Sequence, residues 1–274
     1  MCTIDKMNTA NIIQEDDNYI YKTTKSRLTL NKYGKMSLTE NPHFKQARNM
    51  MKKTRPILDI GCAFGYTTRL LLNDGFHVIA NDLDQRHLDV LFESIENEKE
   101  KERLTLKSGS LIDLHFDENS LDGIIGLNVL HFLNGEQIRE FFNKSFKWLA
   151  SGGIMVISTL SPYFLIYKEN KESGQEKLGN FYKELRNKNE WPGDLEREKF
   201  FESGDRREKV WLRNGPEKMN LTSSEMLVRE ATLAGFNIFK LSHFHENEYG
   251  FVESESTNDI RIASIICIKE NINI

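Results

Sequence analysis

Apolar residues along the chain fall into two alternating kinds of stretch. The run that opens after Pro56, together with Phe76 to Asn81, Leu104 to Lys107, Leu121 to Leu127 and Ile154 to Thr159, reads as five buried strands. A strand covered on both faces needs no polar alternation, so a short continuous run is its signature. Between these runs the apolar positions recur at helical spacing. Phe44, Ala47 and Met51 follow an Asn41-Pro42 opening, in which Asn caps and Pro starts the first turn. Thr67 to Asn73 reads as a second helix with Gly75 as its C-cap. Leu88, Leu91, Phe92 and Ile95 share a face after a cap at Asp84, and this helix fades into the charged tail Glu96 to Arg103. Ile138, Phe141, Phe142, Phe146 and Leu149 point inward from a helix that opens at Asn134 and is stopped by Gly152-Gly153. Strands alternating with helices predict an α/β fold with a doubly wound, mostly parallel sheet.

The alternation breaks after the fifth strand. Residues 161–220 are charged, aromatic and only partly periodic, and regularity returns at the capping-box pattern Thr222-Ser-Ser-Glu225, whose helix ends at Gly235. Phe236 to Ser242 and Ile260 to Ile268 read as two closing strands, which makes seven. The expected organisation is an N-terminal arm over residues 1–40, loosely ordered apart from a packing role for Tyr19 and Tyr21, and one domain over 41–274 that carries residues 161–220 as an insertion.

Composition narrows the function classes. With 274 residues, 39% of them apolar and 28% charged, the chain can build a sizeable core beneath a soluble surface. Its 37 basic and 41 acidic residues leave a net charge of −4, which gives no general pull toward nucleic acid. Cys2, Cys62 and Cys267 are too scattered for a zinc site or a disulfide framework, so no metal is expected and a reducing, cytoplasmic setting fits. No apolar run approaches the roughly 20 residues of a membrane span.

The candidate chemistry gathers where the first strand breaks into small residues, Asp59-x-Gly61-x-Ala63-x-Gly65. Gly61 and Gly65 let the backbone bend and approach a ligand, and the next helix starts there with free N–H groups. The sequence lacks the Gly-Lys-Ser/Thr ending of a P-loop, and the third glycine of a dinucleotide fingerprint falls on Tyr66. Ala63 in the middle small position requires either φ below zero or a strain of roughly 1 kcal/mol.

This spacing resembles the first motif of the class I S-adenosylmethionine-dependent methyltransferases, and the closing helix with two strands resembles the end of the fold in their small-molecule branch. A cofactor with an ammonium and a sulfonium instead of a pyrophosphate suits a carboxylate such as Asp59 at the rim. The resemblance implies that Asp82, at the end of the second strand, takes the ribose hydroxyls with Leu83 beside it, while Asp84 caps the following helix. Ser108 to Leu114 is similar to the family's third motif, and implies adenine contacts at Ser110 and Leu111, although Ser110 stands where the family usually has an acid. The stretch from Asp122 through Asn128 to Leu133 looks like the fourth strand with its Val-Leu-His continuation. There Asn128 would meet the methionine part of the cofactor, and His131 would either pack at a helix start or take the acceptor's proton. The Asn-Pro-Pro-Tyr motif of amino-methyltransferases is absent at Asn128. The implied activity is methyl transfer to a small-molecule acceptor, with no membrane or nucleic-acid partner. A protein or RNA acceptor and a non-catalytic cofactor-binding protein are the alternatives. The insertion is expected to roof the acceptor, with Tyr163 as its catalytic candidate and His243 and His245 approaching from the sixth strand.

Overall fold

The computed structural model describes residues 26–162, 188, 190–196, 217–247, 250–253 and 262–270. The chain opens on a short hairpin of β1 (Ser26–Leu28) and β2 (Lys35–Ser37), followed by α1 (Pro42–Arg48). Then come β3 (Ile57–Ile60), α2 (Tyr66–Asn73), β4 (Val78–Asp82), α3 (Gln85–Glu93), α4 (Glu98–Lys101), β5 (Leu104–Ser108) and β6 (Leu121–Leu127). The second half holds α5 (Gly135–Trp148), β7 (Leu149–Leu160), β8 (Asp194–Glu196), β9 (Lys218–Asn220), α6 (Ser224–Ala234), β10 (Asn237–Asn247), β11 (Gly250–Glu253) and β12 (Ile262–Ile268).

Eight strands form the main sheet, in the order β11-β10-β12-β7-β6-β3-β4-β5. β5, β4, β3, β6 and β7 run parallel, and β12 lies antiparallel between β7 and β10. The seven strands read from the sequence are all present, and the short edge strand β11 is added by a hairpin with β10. Period-two alternation splits the core in two. Leu58, Ile124, Met155 and Ile157 face α5 and α6, whereas Ile57, Val78, Ala80 and Val156 face α1, α2 and α3. Strand order reverses between β3 and β6, so the crevice of such a sheet opens above the carboxyl ends of β3, β4 and β6.

The structure corrects several boundaries. Residues 26–37 are a hairpin rather than loose chain, while Tyr19 and Tyr21 lie outside the described residues. Helix α5 ends at Trp148, and Leu149 already belongs to β7, where it pairs with Leu121. Gly152-Gly153 therefore does not stop a helix. It lies within the strand, beside a register shift, with Gly152 at φ +75° donating its N–H to Lys269 O. Phe92 does not join Leu88 and Leu91 in the core, being 43% exposed. The cap of α6 is Ser223, which accepts from Met226 N, one residue later than the capping-box pattern places it. Thr222 is held elsewhere: its N–H reaches Leu160 O, and its hydroxyl turns to Asn220 Oδ1. Caps at Asn41, Asp84 and Asn134 form as expected.

Candidate cofactor and acceptor site

The small residues after β3 make a turn that passes three times through the left-handed region: Gly61 at φ +61°, Ala63 at φ +47° and Gly65 at φ +76°. Ala63 thus takes the strained alternative. Its N–H donates to Asp82 Oδ2 at 2.8 Å, which ties the strained residue to the end of β4. The two glycines are required by packing as well. A Cβ on Gly61 would sit 2.7 Å from Val129, and one on Gly65 would sit 2.3 Å from Leu91. Gly61→Val would therefore disturb the fold before it blocked any ligand.

Asp82 is buried and accepts three hydrogen bonds. Besides Ala63 N, these come from Asp84 N at 3.0 Å and His87 Nδ1 at 2.9 Å, both to Oδ1. Sequence reasoning assigned no role to His87, although its place five residues after Asp82, in the first turns of α3, was a visible signal. Leu83 projects from the strand end, 60% exposed, as an apolar surface beside that carboxylate. Asp84 caps α3 through Arg86 N and pairs with the Arg86 guanidinium, which holds its carboxyl down at about 2.

Asp59 departs from its expected place at a rim. It is 3% exposed, and its Oδ2 accepts the Thr68 hydroxyl at 2.6 Å, which clamps β3 to α2. Burial pushes its carboxyl up to about 7, against the pull of the Thr68 hydrogen bonds and with help from the nearby Asp82 charge.

Ser110 spends its hydroxyl as the cap of the turn Leu111–Asp113, accepting from Ile112 N, and the Leu111 side chain packs into the core. Asn128 has φ +57°, and its N–H donates to Ser158 O at the end of β7. Its side-chain oxygen is buried without a partner among the described residues. His131 sits in the turn Leu130–Phe132, 3% exposed, with its ring centroid 4.1 Å from that of Phe132. Burial alone lowers it to about 3, so it is neutral at physiological pH, and Nδ1 has no partner among the described residues. His243 is half-buried on β10, with β12 between it and β7. Tyr163 and the His245 side chain lie outside the described residues.

The described parts of the expected insertion dock at the head of α5. Trp191 lies against Gly135, with the guanidinium carbons of Arg139 and Arg229 5.1 and 4.7 Å from its ring centroid, and donates Nε1–H to Glu136. Both oxygens of Asp194 accept from Gly135 N, at 3.0 and 3.1 Å. For Trp191, at least, packing against the domain accounts for the aromatic ring.

Strand order, switch point and glycine turn define a Rossmann-like methyltransferase fold. Residues 57–153 match a family model described as a methyltransferase domain. Among curated proteins it is similar to an erythromycin 3''-O-methyltransferase of Saccharopolyspora erythraea, 30% identical over 125 residues. That match takes in 44% of this chain and 39% of the relative's length. A solved S-adenosylmethionine-dependent methyltransferase of Methanosarcina mazei superposes with a TM-score of 0.59 at 16% identity, over 84% of this chain and 98% of that one. A glycopeptide N-methyltransferase solved with S-adenosylmethionine gives 0.52 at 13% identity, over 84% and 86%. At these identities the solved structures speak to the fold alone.

Proposed function

We propose that the protein transfers a methyl group from S-adenosylmethionine to a small-molecule acceptor. When bound, this cofactor supplies a methyl on a sulfonium, an electrophile open to in-line displacement. The residues present fit it. Asp82 keeps an acceptor position on Oδ2 for a ribose hydroxyl, because a carboxylate offers about four and three are used internally. Leu83 offers an apolar face for the adenine, with Ser110 and the Leu111 backbone at its edge. Asp59 and the Asn128 amide flank the glycine turn on the side proposed for the methionine part.

On the acceptor side, the carrying observation is a group of orphaned polar atoms. Among the described residues, Asn128 Oδ1, His131 Nδ1, Ser158 Oγ and Thr159 Oγ1 are all buried without a partner, at the carboxyl ends of β6 and β7 or in the turn between β6 and α5, Ser158 and Thr159 standing on opposite faces of β7. Buried polar groups are normally bonded, so Asn128 Oδ1 and His131 Nδ1, both in the stretch that follows β6, favour a polar ligand supplying the missing bonds. A neutral His131 orients an acceptor hydroxyl or amine through Nδ1 better than it carries away a proton. Tyr163 is proposed to approach the same acceptor from the start of the insertion. The erythromycin relative, by its name, methylates a hydroxyl of a small molecule, and this supports the same acceptor class.

The test is transfer of a labelled methyl from S-adenosylmethionine into fractionated cell extract. Label in the small-molecule fraction is expected. Label in protein or RNA would favour a macromolecular acceptor, and tight S-adenosylhomocysteine binding without transfer would favour a non-catalytic protein.

A further inference from the structure

His87 is 1% exposed, and each of its ring nitrogens is bonded to a different part of the fold. Leu30 N–H donates to Nε2 at 2.9 Å, so Nε2 must present a lone pair. The ring hydrogen then sits on Nδ1 and is donated to Asp82 Oδ1, also at 2.9 Å. Phe64 closes the ring's edge at 5.0 Å between centroids. Leu30 lies in the turn of the β1–β2 hairpin, and the same hairpin touches the crevice at three further places. Arg27 sets its guanidinium 3.9 Å from the Phe64 ring centroid, Met36 packs with Ala63 and Phe64, and Tyr33 stands 6.4 Å from the Phe132 ring. The hairpin thus bridges the glycine turn, the β4 carboxylate and the turn that holds His131.

We propose that His87 is a positioning residue that couples occupation of the cofactor site to docking of the hairpin. This rests on the reading of Asp82 as the ribose-binding carboxylate. With the hairpin docked, Leu30 fixes the imidazole tautomer, Nδ1–H fixes the Asp82 plane, and the remaining position on Oδ2 is aimed at the ribose. With the hairpin undocked, Nε2 loses its donor, the ring is free to change tautomer or turn, and Asp82 loses its orienting bond. Linkage makes the effect reciprocal: whatever factor docking adds to cofactor affinity, the cofactor adds to docking.

The experiment follows the Leu30 amide by hydrogen exchange in the full chain, with and without S-adenosylhomocysteine, alongside calorimetric titration. In the wild type the ligand is expected to slow Leu30 exchange by about tenfold or more. In His87→Leu, affinity is expected to fall by about tenfold or more, and Leu30 exchange to become insensitive to the ligand. His87→Asn, whose amide can donate to Asp82 from the place of Nδ1, should recover part of the lost affinity while Leu30 stays insensitive. Ligand binding to the wild type without any change at Leu30, or equal affinities of wild type and His87→Leu, would overturn the proposal and leave the cofactor reading standing. Should His87→Leu fail to fold, the wild-type exchange measurement and His87→Asn still decide. A folded wild type that binds no S-adenosylhomocysteine would overturn the cofactor reading and this proposal with it.

Discussion

A carboxyl that burial pushes to about 7 costs the fold something in order to be ionised, and Asp59 is such a group. Its folded value lies above its unfolded value, so its contribution to stability is present at low pH and declines as pH rises from about 4 to about 7, then levels off. Asp59→Asn keeps an acceptor for the Thr68 hydroxyl without the charge. Thermal or denaturant unfolding should find the variant at least as stable as the wild type at pH 8, with the wild type gaining relative to it below pH 6. Function should move the other way. An ionised Asp59 attracts an ammonium, so wild-type affinity for S-adenosylhomocysteine should rise from pH 6 to 8, while the variant binds about tenfold more weakly at pH 8 with a flatter profile. Identical pH profiles would remove Asp59 from the cofactor site. Ala63 gives a second test at this scale. At φ +47° it carries the left-handed strain, so Ala63→Gly should cost nothing or gain up to about 1 kcal/mol in denaturant unfolding. That Ala63 was either strained or at negative φ was legible in the sequence. Which of the two holds was not, because Asp82, nineteen residues on, reaches back to its N–H.

Element ends show most clearly what local pattern can and cannot fix. Caps at Asn41, Asp84 and Asn134 were legible because a capping side chain bonds N–H groups two or three residues away, all within one short stretch. The α6 cap was misplaced by one residue because Thr222 is pinned by Leu160 and Asn220, partners that no local pattern reveals. Replacing Ser223 by Ala should accordingly cost about 1 kcal/mol in denaturant unfolding, the usual worth of an N-cap. Asp122, read as part of a family-like stretch, proves to be a fastener. Its Oδ2 accepts from Thr54 N, Thr54 Oγ1 and Arg55 N, each at 2.7 Å, and anchors the entry to β3 on the start of β6. Burial raises its carboxyl, but these bonds outweigh it and hold the group below the usual range. Asp122→Ala should therefore lower stability by about 2–4 kcal/mol, since three donors lose a charged acceptor, with S-adenosylhomocysteine affinity unchanged under conditions where the variant is folded. A matching loss of affinity would mean that the β6 end of the crevice moves with the β3 entry.

At the scale of the whole molecule, residues 161–220 leave the main sheet at the end of β7 and return beside it. Thr222 N bonds Leu160 O, so the two ends of the excursion meet, and Trp191 and Asp194 fasten its later part to the head of α5. Helix α5 starts directly after the turn that holds His131, and β9 packs against that turn. Trp191 is thus placed to set where the returning strand presses on the proposed acceptor side, while Asp82, Leu83 and the glycine turn stand on the far side of β6 in the strand order. Trp191→Ala removes a large buried ring and leaves Arg139 and Arg229 paired with Glu230 but without their shared stacking partner. The expected outcome is a split effect. S-adenosylhomocysteine affinity should stay within about twofold of the wild type, because nothing on the cofactor side is touched, whereas methyl transfer to the identified acceptor should fall by about tenfold or more as the acceptor loses alignment. Calorimetry and initial rates on the same preparation separate the two. Loss of cofactor affinity in step with turnover would show that Trp191 supports the whole crevice rather than its acceptor side, and undiminished turnover would show that the docking of β8 and β9 is independent of the reaction.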